Sequence, residues 1–139
     1  MLNVVVLHGR TSRAVEERSL PSGDRLAVID LTVPAVATEP AEADAVNNAK
    51  ARKGESVPLA WFDPPSWILA VEQDTELVAV GRVRRRFFRV GPRLESRTEV
   101  VVEAAALARR PARVAEVFHR AVHAVQLEAE TSGKVRRPG

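Results

Sequence analysis

The segment Glu76–Val90 constrains this chain more than any other. It alternates with period two, so successive side chains leave an extended strand on opposite faces. Leu77, Ala79, Gly81 and Val83 share one face, which suits a core. Val78, Val80, Arg82, Arg84, Arg86 and Phe88 share the other. Gly91-Pro92 then turns the chain, and Thr98–Ala105 returns as a further strand.

This strand carries most of the charge signal. Between Gly81 and Thr98 stand seven arginines and one acid, Glu95. Across the chain, 18 of the 21 basic residues are arginine, and the lysines are Lys50, Lys53 and Lys134. Net charge is only +3, with an isoelectric point near 10.1. Guanidinium forks onto phosphate and stacks on flat rings. The cluster therefore reads as an anion-binding strand or as a solvated surface strand, and its density favours the anionic partner.

The rest of the chain reads as short elements. Val4–Leu7 is a β-branched run closed by Gly9, and Leu26–Val33 is a second strand. Pro21-Ser22-Gly23-Asp24 between them is a turn. Residues 34–56 form a long loop with Lys50, Arg52 and Lys53 in its second half. Val57–Phe62 is a third strand, ended by Pro64-Pro65, and Ser66–Gln73 suits a short helix. Pro111 is a good first helical position. From it Val114, Val117, Phe118, Ala121, Val122 and Val125 recur at helical spacing, to residue 130. Residues 131–139 read as a basic disordered tail. Five short strands with a helix between the third and fourth are the layout of an all-β, five-stranded OB-fold barrel. The expected division is a barrel over 1–108, an added helix over 109–130, and the tail.

Composition narrows the functional classes. With 139 residues the chain suits one domain that buries a core without staples. Cysteine is absent, which excludes disulfides, thiolate metal sites and a cysteine nucleophile. Hydrophobic residues at 45% and charged residues at 28% read as a globular protein in the cytosol. The N-terminus lacks a basic n-region, and no apolar run approaches the ~20 residues of a membrane span. His119 and His123 stand at i and i+4, but residue 120 is arginine and no third ligand is evident. No phosphate-cradling glycine loop, nucleophile elbow or acid/base pair is legible. The expectation is a non-enzyme with no catalytic residue, cofactor, metal, membrane or small-molecule substrate.

Residues 2–107 together resemble the bacterial single-stranded DNA-binding protein family. Asn3-Val4-Val5-Val6-Leu7-His8-Gly9-Arg10 is similar to that family's first strand and its glycine. Glu16, Arg18 and Pro21-Ser22-Gly23 are similar to its acid, arginine and Pro-x-Gly turn, and Val28–Val33 to its second strand. Gly81-Arg82-Val83-Arg84-Arg85-Arg86 resembles its Gly-x-Leu-Arg-x-Arg strand, and Thr98-Glu99-Val100-Val101-Val102 its Thr-Glu-Val-Val strand. The chain departs from the family at its end, which is basic (Gly133-Lys134-Val135-Arg136-Arg137-Pro138-Gly139) rather than an acidic tip. It looks like a divergent or auxiliary member.

The resemblance implies sequence-independent binding and protection of single-stranded DNA in replication, recombination or repair, at the nucleoid. It implies that Phe88 falls at a base-stacking position, Trp61 near another, and Arg10 where the strand backbone is contacted. The expected nucleic-acid surface is Arg10, Lys50, Arg52, Lys53, Trp61, Arg82, Arg84, Arg86 and Phe88. It implies a homotetramer built from dimers, with a dimer as the smaller option, and Val4, Val6 and His8 at the contact between first strands. Several residues keep a second reading. Trp61 is also a candidate for plain core, Phe88 for an oligomer interface, Trp67 reads as core and Phe87 as structural. Two other functions stay open: an OB-fold protein-interaction adaptor and an RNA-binding accessory factor.

Overall fold

A computed structural model describes residues 1–34 and 54–136. Among these residues six strands and two helices follow in order: β1 (Val5–Thr11), β2 (Glu16–Ser19), β3 (Arg25–Val33), β4 (Glu55–Phe62), α1 (Ser66–Leu69), β5 (Glu76–Val90), β6 (Arg93–Leu107) and α2 (Pro111–Arg136). The architecture is mostly β with a C-terminal helix, as the sequence led us to expect.

The strands are hydrogen-bonded in the order β1-β5-β6-β4-β3-β2, and β1 also pairs with β3. Five strands are thereby linked in a ring. The neighbours are antiparallel except β4 and β6, which run parallel over Leu59–Val100 and Ala60–Val101. Pro58 offers no amide to a ladder, in keeping with a β4–β6 contact that begins only at Leu59.

The sixth strand, β2, was not legible. All four of its residues are exposed, so no apolar alternation marks it. It forms because the turn at 20–24 folds it back on β3, from Ser19 opposite Arg25 to Glu16 opposite Val28. Gly23 supplies the positive φ (91°), and its amide donates to the Leu20 carbonyl at 2.8 Å. The hairpin between β5 and β6 closes on two residues. Gly91 takes φ 60°, and proline at the next position cannot, so the geometry is that of a II′ turn.

Two apolar clusters hold the chain together. Ala27, Ile29, Leu31, Leu59, Trp61, Ile68, Val71, Leu77, Ala79, Val100 and Val102 fill the inside of the ring. Val78, Val80 and Ala106 pack outside it against Val117 and Ala121 of α2, with Val4, Ala104 and Val114 alongside. The two expected faces of β5 thus both bury in its first half, one inside the ring and one under the helix. Past Gly81 the β5 limb of the hairpin leaves both clusters, while Val100 on β6, opposite Val83, stays in the inner one. Val83, expected in the core, is 43% exposed for that reason.

A register shift opposite Val80/Gly81 leaves Glu103 as an extra residue in β6. β6 passes so close here that a Cβ on Gly81 would collide with the Val101 carbonyl, which accounts for the glycine. The short helix α1 ends at Leu69 rather than Gln73. The long helix continues to Arg136 where a disordered tail was expected. No proline follows Pro111 until Pro138, so nothing in the backbone stops it sooner.

Candidate nucleic-acid interface

The β5–β6 hairpin brings part of the expected surface together. Strand alternation sets Arg82, Arg84, Arg86 and Phe88 on its outer face, the face that α2 covers lower down. Directly opposite them on β6 stand Val101, Glu99, Arg97 and Glu95.

These arginines are held, not loose. Arg84 donates to Glu99 through Nη2 at 2.6 Å, and its guanidinium lies 5.1 Å from the ring centre of Phe62. Arg86 lies 3.8 Å from the same Glu99 carboxylate, with its guanidinium 5.8 Å from the ring centre of Phe88. Arg82 sits 3.9 Å from Glu103. Glu99 is the pivot, with its side chain only 7% exposed. A carboxylate that far from water requires a charge partner, and two guanidiniums provide it. Over each Phe ring a cation gains from the quadrupole, which helps hold the guanidinium in place. The outer face is therefore a row of arginines, two of them over aromatic rings, partly neutralised by glutamates across the ladder.

The remaining expected residues do not join this row. Trp61 points into the ring, 8% exposed, its indole edge-on to Trp67 with centroids 6.1 Å apart. With so little of the ring exposed Trp61 fits its core reading, and although it borders a cleft beside α2 it does not stand with the arginine row. Its parity decides this: Leu59 and Trp61 face inward, Ala60 and Phe62 outward. Trp67 is itself 37% exposed. Arg10 pairs with Glu76 at the far end of β5 from the hairpin and lies 3.7 Å from Asp74, so it is apart from the arginine row. Lys50, Arg52 and Lys53 lie outside the described residues.

Val4, Val6 and His8 share the outer face of β1. Val4 packs against the α2 cluster, Val6 is 41% exposed, and His8 Nε2 meets Glu76 Oε1 at 2.7 Å. Among the described residues β1 meets β3 only at Arg10 and Thr11, so its other edge is unpaired from Val5 to Gly9.

Sequence reasoning missed Phe62, Glu99 and the far face of the hairpin. Phe62 ends a strand one residue after a tryptophan, and alternation alone would have set the two on opposite faces. Glu99 stands directly opposite Arg84 only once the turn length fixes the register. Phe87, expected to be structural, is 62% exposed.

A separate cleft of about 610 Å³ opens between α2 and the end of β6, with Trp61, Trp67 and Val117 also on its walls. Arg113 pairs there with Glu116, and Arg120 donates to the Glu103 carbonyl at 3.4 Å. No group of three or more His, Asp or Glu able to hold a metal occurs among the described residues, and no described helix is long and apolar enough to cross a membrane. No protein-family model matches the sequence, and none of the curated proteins is detectably similar to it.

Proposed function

We propose that this protein binds single-stranded DNA without reading its sequence, and that its ring of strands is an OB-fold barrel. The reading rests on one observation: three arginines in line on a hairpin face, two of them lying over phenylalanine rings. The ring order β1-β3-β4-β6-β5, returning to β1, fits a five-stranded Greek-key barrel and supports the fold assignment.

The mechanism involves no bond making. Phosphates meet guanidinium forks, and exposed bases stack on ring and guanidinium planes, each base contributing about 1–3 kcal/mol. Because aromatics are only 4% of the chain, arginine carries more of the affinity than rings do. Bound strand is occluded and cannot refold, which suits replication, recombination or repair at the nucleoid. A homo-oligomer, tetramer or dimer, joined along the open edge of β1 belongs to the same reading.

The test is fluorescence anisotropy of labelled oligo-dT at low salt, with unlabelled competitors. Oligo-dT is expected to displace the probe, and duplex DNA of the same length to compete at least tenfold more weakly. Preferential displacement by oligo-U would transfer the reading to RNA. No binding of any single strand would overturn it.

A further inference from the structure

The hairpin has a second face. Past Gly81 the strand alternation sets Arg85, Phe87 and Arg89 opposite to the arginine row. Their direct partners across the ladder are Thr98, Ser96 and Leu94, so none of their partners on this face is an acid. The contrast with the outer face is in the pairing. On the outer face Arg82, Arg84, Arg86 and Arg93 each have a glutamate within ion-pair distance and Arg97 alone lacks one, whereas here both arginines, Arg85 and Arg89, have none among the described residues. Both are exposed.

Between them stands Phe87, 62% exposed, with Leu94 diagonal to it at 65%. Neither belongs to either apolar cluster. A solvent-facing ring flanked on the same strand by two unpaired cations, each about 7 Å away along it, has no role in holding the fold.

We infer that this Arg85–Phe87–Arg89 face is a second contact surface for the same single strand, and that it supplies the free charge which Glu99 and Glu103 take from the outer face. The inference rests on the reading of this protein as a single-strand binder. Charge complementarity selects the occupant. Two uncompensated guanidiniums with no acid beside them match a polyanion, and a ring between them matches an unpaired base. A strand held on both faces would wrap the hairpin, with the outer face positioning it and this face supplying about half of the counterion release.

The experiment compares Arg85→Ala/Arg89→Ala and Phe87→Ala with the wild-type protein, by anisotropy of labelled oligo-dT across a salt series. The double variant is expected to bind at least tenfold more weakly, with a salt slope shallower by about 1.4, the value for two phosphates on a single strand. Phe87→Ala is expected to lose about fivefold with the slope unchanged. Arg85→Lys/Arg89→Lys, which keeps the charge, is expected to retain the wild-type slope. These side chains are exposed, and circular dichroism of each variant checks the fold.

Wild-type protein that binds while the double variant stays within twofold of it would overturn this inference and leave the proposed function standing. Sedimentation showing that Phe87→Ala breaks an oligomer would overturn it too, by making the face a subunit contact. Wild-type protein that binds no oligo-dT would overturn both.

Discussion

Trp61→Ala is expected to remove about 3–5 kcal/mol of folding stability, the range for truncating a large aromatic in a packed core. The indole is 8% exposed and lies among Leu59, Ile68, Val71 and Val102 inside the ring. Its edge-on contact with Trp67 adds about 0.5–1.5 kcal/mol beyond area alone. Urea unfolding measures the loss. The same variant, studied where it is still folded, is expected to bind oligo-dT within twofold of the wild-type protein. A stable variant with strongly weakened binding would return Trp61 to the surface and contradict its placement in the core.

Glu99→Gln is expected to change binding, which Trp61→Ala leaves nearly untouched. Glu99 holds Arg84 at 2.6 Å and attracts Arg86 at 3.8 Å, so the carboxylate competes with phosphate for both. Glutamine keeps the shape and one acceptor but removes the charge. Affinity for oligo-dT is expected to rise about tenfold, equivalent to about 1.4 kcal/mol. Stability is expected to fall by about 1–2 kcal/mol, because a charge-assisted hydrogen bond becomes a neutral one. Anisotropy and urea unfolding on the same preparation read the two effects. Affinity that is unchanged or weaker would mean that Glu99 orients the arginines for the strand rather than withholding them.

The parts of this molecule that the sequence made legible are those where side-chain period and burial agree. Strand β5 announced itself through alternation, and so did the arginine row, because both depend on residues two apart on one chain. The start of α2 at Pro111 was marked by proline, and Val114, Val117 and Ala121 follow the helical period down to the ring. Strand β2 was invisible because it is held to β3 by backbone pairing and one exposed ion pair, Arg25 with Glu17, and buries no side chain. The partnership of Arg84 with Glu99 and Phe62 could not be read, since it depends on two registers at once: β5 against β6, and β4 beside β6. Val83 and Phe87 were misjudged for a single reason. Alternation gives a face but not where along the strand the core ends, and here it ends at Gly81, where β6 presses closest.

Oligo-dT affinity measured against salt concentration tests the central claim most directly. Four phosphates neutralised by the hairpin give a slope of log affinity against log salt near −2.8, or about a 50-fold loss between 50 and 200 mM. That is the predicted result. Affinity that stays flat over this range, or the absence of binding at its low-salt end, would contradict it.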